Sequence, residues 1–351
     1  MVSFDDAVPS FTHMAIASFQ HIGKSVFIVT QNVDNLHRKS GIKSESLAEL
    51  HGNLNLEKCE NCSKVYEREF DVGTISFKPT GRNCSHCGGC LRDTLLDWHD
   101  ALPDEEWNKA KFACENADLV VCIGTSLRVN PANSLPTLGI NNVNNEKCKL
   151  VIINLQKTPK DEKAHLLIRA KCDDVMRQVV KMLQMKIPIF RRTDKLTFEL
   201  TDFCQNHQKE AKTQHECTIS LYSCSDVAKR TPTFISKVEL QQLNEQFDEA
   251  NFNPNNILLC YPFQARLYFR NTLKLIASLH FDHPNFTVKG PFVKEIVVNL
   301  VSIQRNECKI EFEIETANID YNLEVENSLK FEPFELFPIS QPRVRRKECF
   351  Q

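Results

Sequence analysis

Two cysteine pairs, Cys59-x2-Cys62 and Cys84-x2-Cys87, constrain this chain more than any other feature. A C-x2-C knuckle followed by a second one, across a loop long enough to fold back, closes a tetrahedron of thiolates around one ion. Four sulfurs with no open position suit Zn²⁺ in a structural role. Asn61, Ser63 and Gly88 sit where such knuckles need tight turns. Cys87-x2-Cys90, with His86 beside it, fits the same spacing, but the pair followed directly by glycine, Cys84 and Cys87, is the preferred reading. No dense basic and aromatic surface accompanies the cysteines, so scaffolding is a better reading than direct, sequence-specific nucleic-acid binding.

The rest of the composition is that of a globular protein. Of 351 residues, 42% are hydrophobic and 25% charged, and the formal net charge is -2. That length suits two domains, and that charge gives no chain-wide attraction to nucleic acid or to an anionic membrane. The fifteen cysteines would suggest disulfides in a small secreted protein. The opening MVSFDDAVPSFTH has acidic residues and no apolar core, so the expectation is no signal peptide and reduced, intracellular thiols. No run of about 18 apolar residues is present, and no membrane span is expected.

Periodicity divides the chain. Ser10 to His21 has helical spacing and stops at Gly23; Ser25 to Thr30, Asp118 to Ile123 and Lys149 to Ile153 are continuous apolar runs of the kind buried on both faces in a parallel sheet. Each run ends in small or hydrogen-bonding residues, at the strand end where open α/β sheets bind ligands. Trp107 to Asn116 and Lys171 to Met185 supply helices. The expected architecture is therefore α/β: a partial Rossmann-like, doubly wound sheet over residues 1–190 with a small zinc-ribbon insertion at about 55–93. Residues 191–233 are polar and read as a linker or a partly disordered segment. From 234 to 351 the period changes to two, as in KIEFEIETANI and NLEVENSLKFEPFELF, which predicts a separate β-rich domain, a sandwich, with the basic tail Arg343 to Lys347. The alternating Glu311, Glu313 and Glu315 read as a solvated strand face.

Several motifs in fixed order carry a resemblance. QNVDNLH at Gln31 to His37, ELHGN at Glu49 to Asn53, the cysteine pairs, TGR at Thr80 to Arg82, LRDT at Leu91 to Thr94, GTSL at Gly124 to Leu127 and VIINLQ at Val151 to Gln156 together resemble the sirtuins, NAD-dependent protein lysine deacylases. INLQKTPKD, KCDDVMR and LLDWHDALPD are most similar to the nuclear branch that holds human sirtuins six and seven. The resemblance covers Phe11 to about Pro188.

The resemblance implies roles. His51 would be the general base toward a ribose hydroxyl of NAD, for which an imidazole suits because its ordinary pKa lies near working pH. Asn32 and Asp34 would line the nicotinamide pocket and Gln31 would hold the ribose hydroxyls. Gly124, Thr125 and Ser126 would meet the phosphate and ribose region, Asn154 and Gln156 the adenosine ribose, and Cys172 the adenine. The acyl-lysine peptide would add as a strand between Asp97 to Asp100 and the segment after Leu127, with Trp98 walling the acyl tunnel. The partners implied are acylated protein lysines on histone tails, and chromatin, in the nucleus. The sirtuin glycine loop that cradles the pyrophosphate has no counterpart among the ten glycines, which implies truncation at the N-terminus and weak NAD binding. Asn35, glycine in many members, counts as a minor departure. Two rival readings use the same residues: a catalytically impaired chromatin or protein interaction module, and a protein mono-ADP-ribosyltransferase.

Overall fold

The computed structural model describes residues 4, 7–143, 145, 147–206, 214–225, 228–230, 235–242, 257–259, 263–269, 272–281, 292–299, 308–322 and 336–338. The chain divides into two compact units, one of residues 8–188 with 320–351, the other of residues 1–7 with 189–319. Among the described residues no helix is long and apolar enough to cross a membrane.

The first unit is mixed α/β. Helix α1 (Phe11–His21) buries Phe11, Met14, Ala15 and Ala17 at helical spacing and ends before Gly23, whose φ of +78° takes the chain out of the helix. Strand β1 (Ile28–Thr30) pairs in parallel with β2 (Leu47–Glu49), and the short helix α2 (Leu36–Lys39) lies between them in sequence. Strands β3 (Leu56–Cys59), β4 (Val65–Glu67), β5 (Pro79–Asn83) and β6 (Cys90–Asp93) form an antiparallel sheet of order β4-β3-β6-β5, the insertion that carries the four cysteines. After α3 (Asp104–Glu115) come β7 (Leu119–Ile123), α4 (Leu138–Asn141), β8 (Lys149–Ile153), β9 (Leu166–Ile168) and α5 (Cys172–Met182). Strands β7, β8 and β9 are parallel, and β19 (Leu336–Pro338) joins β9 antiparallel.

The α/β expectation holds, with one correction. The parallel strands form two sheets, and the apolar run ending at Ile123 is not buried on both faces: Leu119 is 56% and Val121 41% exposed. Among the described residues β7 pairs only with β8, so its second edge has no neighbouring strand to cover it. Leu150 and Ile152 of β8, flanked on both sides, are fully buried.

The second unit holds two antiparallel sheets around one apolar core. One has the order β12-β11-β10-β18 with β15 also on β11, the other β14-β13-β16-β17. Its strands are β10 (Phe190–Asn206), β11 (Gln214–Ser225), β12 (Ala228–Arg230), β13 (Ile235–Gln242), β14 (Ile257–Leu259), β15 (Gln264–Phe269), β16 (Thr272–Phe281), β17 (Phe292–Asn299) and β18 (Cys308–Ile319). This corrects the linker expected over 191–233, which instead supplies β10 and β11. Leu196, Phe198 and Leu200 of β10 and Ile219 and Leu221 of β11 face Val238, Leu240, Leu275 and Leu279 of the other sheet. The polar residues between them, such as Thr197 and Glu199, dilute the local hydropathy while sitting on the opposite face of the pleat. Glu311 and Glu313 are exposed, as expected for a solvated face. The strand expected at NLEVENSLKFEPFELF lies outside the described residues apart from 322 and 336–337, as do Glu315's side chain and the basic tail.

Phe198 is fully buried at the centre of this core. Phe198→Ala is expected to lower the free energy of unfolding by about 3–5 kcal/mol, read from urea denaturation followed by far-UV circular dichroism.

Candidate functional site

The register of β1 on β2 is Ile28↔Leu47, Val29↔Ala48 and Thr30↔Glu49. Because the strands are parallel, the loops leaving their carboxyl ends, residues 31–34 and 50–53, emerge side by side. Backbone bonds tie them together: Leu50 N–H donates to Thr30 O at 2.9 Å and Leu54 N–H to Val33 O at 3.0 Å. Within the first loop Thr30 Oγ1 accepts the Asn32 N–H at 3.0 Å and Asp34 Oδ1 the Leu36 N–H at 3.1 Å, turns that short polar side chains make with their own backbone. The second loop is locked by Gly52. Its φ is +77°, and a Cβ there would lie 1.8 Å from the Thr94 carbonyl oxygen, so no other residue fits. Leu96 N–H donates to His51 O at 3.1 Å and holds the same turn from the other side. Gln31, Asn32, Asp34 and His51 are thus brought to one end of this sheet, with His51 half-buried and Asn32 exposed.

Glu49, His37 and His13, on the elements that lead into these loops, carry shifted titration. Burial pushes the Glu49 carboxyl above the ordinary carboxylate range, against the bonds it accepts from Arg38 and Asn53. His37 of α2 and His13 of α1 pack with ring centroids 4.8 Å apart. Burial, then the neighbouring His13, lowers His37 to about 4, while Asp34 opposes the shift. Among the described residues His37 Nδ1 has no hydrogen-bond partner, whereas His13 Nδ1 accepts the Ser10 N–H at 3.3 Å. Nothing in local periodicity marks this pair, because it is made by helices from separate segments.

The remaining predicted cofactor residues converge at a second place. Ile123 and Ile153 are register partners, so Gly124 and Asn154 follow adjacent strand ends. Gly124 has φ +62°, and a Cβ on it would meet Cys172 Sγ at 3.2 Å, so the chain approaches the start of α5 closely. Arg169 Nη1 donates to the carbonyls of Asn154 at 3.1 Å and Gln156 at 2.8 Å, and its other Nη pairs with Asp161. This clamp fixes the loop carrying both predicted ribose ligands. Arg169 has no sequence signal, since its partners lie on a different loop. An open cavity of about 400 Å³ at the N-terminus of α5 is lined by Lys171, Cys172, Asp173, Asp174 and Arg177. The residues expected on the substrate side are not brought together: Trp98 is 96% exposed, and Leu127 is packed in the core against Cys122, Leu150 and Ile152.

The four cysteines of the two knuckles form one cluster, their Sγ atoms all within 4.8 Å of one another. Cys59 and Cys87 are 3.4 Å apart and Cys62 and Cys84 3.6 Å; a tetrahedron of ~2.3 Å Zn–S bonds has edges of about 3.8 Å. Ser63 (φ +58°) and Gly88 (φ +73°) turn the knuckles. Cys90 begins β6 and is outside the cluster, which decides between the two spacings. The charge pattern also fits a cation. The Tyr66 hydroxyl, 3.1 Å from Cys84 Sγ, leads the causes that bring Cys84 down to about 5. Cys87, although the Gly89 N–H favours its thiolate, is pushed up to about 12 by Cys59 and Cys62. Four crowded sulfurs ionise together only around a positive ion, and these residues could hold one Zn²⁺.

Two outcomes follow. Elemental analysis should find about one zinc per chain, lost in Cys84→Ser together with a lowered melting temperature. His37 is lowered from 6.5 in the unfolded chain to about 4 in the fold, so unfolding takes up a proton between those values. Stability is full above pH 6.5 and falls as the pH drops toward 4. Melting curves across that range should show the slope, and His37→Gln should flatten it.

Comparison with known proteins agrees with the motifs. The Sir2 family model matches residues 1–131. The chain is 48% identical over 193 residues to a rice (Oryza sativa subsp. indica) protein named NAD-dependent protein deacetylase SRT1, covering 54% of this chain and 39% of that one. It is 37% identical to the Drosophila melanogaster protein named NAD-dependent protein deacetylase Sirt6, over 53% of this chain and 61% of that one. With human NAD-dependent protein deacetylase sirtuin-7 it shares 36% identity, over 56% of this chain and 50% of the relative. The chain spans about half the length of these relatives. From the ordered motifs, the loops they build at the ends of β1 and β2 and the family match, this chain carries a Sir2 family domain and is a relative of the sirtuins.

Proposed function

We propose that this protein is an NAD-dependent protein lysine deacylase that acts on acylated histone tails at chromatin in the nucleus. One observation carries the reading: the parallel register of β1 and β2, with Gly52 pressed on Thr94, presents His51 beside the loop of Gln31, Asn32 and Asp34. That is a general base next to amide and carboxylate groups at a strand end. The names of the relatives supply the cofactor and the reaction class.

NAD, when bound, supplies the ADP-ribose that accepts the acyl group and the nicotinamide that leaves. His51 would take a proton from a ribose hydroxyl at a ring nitrogen, which requires the imidazole to be neutral. Gln31 would orient that ribose, and Asn32 and Asp34 would hold the nicotinamide end. Gly124, Thr125 and Ser126 would meet the phosphates, the absence of a side chain on Gly124 leaving its backbone open to approach. Asn154 and Gln156, fixed through Arg169, would meet the adenosine ribose, and Cys172 the adenine. Trp98, exposed on its loop, would wall the acyl chain when the peptide adds beside it. The cysteine cluster holds Zn²⁺ as a brace for β3 to β6 and takes no part in proton transfer.

The test is release of nicotinamide from NAD in the presence of an acetylated histone peptide, followed by chromatography. His51→Ala should lower the rate about 10²–10⁴-fold with zinc content unchanged. Nicotinamide release equal in wild type and variant, or none from either, would exclude the deacylase reading.

A further inference from the structure

The loop that carries Asp34 is held by side chains from outside it. Asn35 is 4% exposed and left-handed, with φ +62°. Glycine adopts this conformation freely and asparagine tolerates it. Here the asparagine amide is used at both ends: Oδ1 accepts from Asn53 Nδ2 at 2.8 Å, and Nδ2 donates to Glu67 Oε1 at 3.1 Å. Asn53, fully buried, also donates to Glu49 Oε1 at 2.5 Å, and Glu49 Oε2 accepts from Arg38 at 2.8 and 2.9 Å. His51 lies between Glu49 and Asn53 in the chain, so both flanks of its turn are tied into these bonds. At the other end, Glu67 follows Tyr66 on β4, and the Tyr66 hydroxyl contacts Cys84 Sγ and accepts the Ser85 N–H at 3.0 Å. A path thus runs from the cysteine cluster by side-chain contact to Tyr66, along the β4 backbone to Glu67, and by hydrogen bonds through Asn35 to Asn53.

We propose that Asn35 is a positioning residue that couples the cysteine-bearing sheet to the loops bearing Asp34 and His51. Its effect on turnover rests on the deacylase reading; the mechanical coupling does not. A glycine at this position would keep the backbone and lose both side-chain bonds, so Asn35→Gly isolates the amide. Glu67→Gln keeps the carbonyl acceptor and Glu67→Ala removes it.

Hydrogen exchange by mass spectrometry on the whole chain, with zinc bound and after chelation, reads the coupling in a peptide covering residues 30–40. In wild type, metal removal should speed exchange there about tenfold. In Asn35→Gly and Glu67→Ala exchange should already be fast with zinc bound and change little on chelation, while Glu67→Gln behaves as wild type. In the nicotinamide assay Asn35→Gly should lower kcat about tenfold with KM for the acetylated peptide unchanged, and Glu67→Gln should recover what Glu67→Ala loses. Equal acceleration by chelation in wild type and Asn35→Gly, or identical behaviour of Glu67→Ala and Glu67→Gln, would overturn the inference. Coupling without any nicotinamide release from wild type would support the inference and remove the deacylase reading alone.

Discussion

The parallel pairing of Ile28, Val29 and Thr30 with Leu47, Ala48 and Glu49 is the constraint on which the candidate site depends. Successive side chains of a strand point to opposite faces, so slipping this register by one residue would turn Glu49 away from Arg38 and Asn53 and carry His51 with it. The pairing is short, and what keeps it in place is packing. Ile28 and Leu47 are buried with Ala17 and Ile42, while Ala48 and Leu50 are buried against Ala110 and Leu135. Apolar burial on both sides of a three-residue ladder therefore fixes where the polar loops emerge.

The cysteine-bearing sheet carries a buried polar network of its own. Glu57 on β3 is fully buried yet accepts from Arg68 at 2.6 Å, Arg82 at 2.8 Å and Thr80 at 2.6 Å, and these partners hold its carboxyl below the usual range against the opposing effect of burial. The partners come from two stretches of the insertion, Arg68 after β4 and Thr80 and Arg82 from β5. Such a network contributes little net stability compared with an apolar core, because desolvation offsets much of the attraction. It does select one arrangement, since any other leaves a buried charge unpaired. Arg68 N–H also donates to Asn55 O at 2.7 Å and Val72 N–H to Leu54 O at 2.9 Å, so the insertion is stitched directly to the residues after His51.

The β-rich unit obeys simpler rules. Its two sheets share one core built from alternate residues, and β10, 17 residues long, is paired with both β11 and β18 over Leu196–Leu200, the stretch that enters that core. The opposite face of β10 bears Thr197 and Glu199, with Lys309 on β18 reaching Glu199 at 3.4 Å. Thr197 and Glu199 are themselves buried, and these polar residues alternate with the apolar ones, which is why average hydropathy understates the strand.

Much of this was legible in the sequence because it rests on local spacing. Helical period gave α1, α3 and α5, apolar runs gave β1, β7 and β8, and C-x2-C spacing gave the cysteine cluster, since one knuckle brings its two sulfurs together whatever the rest of the chain does. The strands within 190–225 are not legible as apolar density, because threonine and glutamate dilute their period of two. What the sequence by itself determined, then, was which elements form and which side chains carry the chemistry. Tertiary structure alone decided that Leu127 faces the core, that Gly52 abuts Thr94, and that Asn35 joins Asn53 to Glu67. Each of these is a contact between segments far apart in the chain, and such contacts are set by packing and register, which no single stretch of residues encodes.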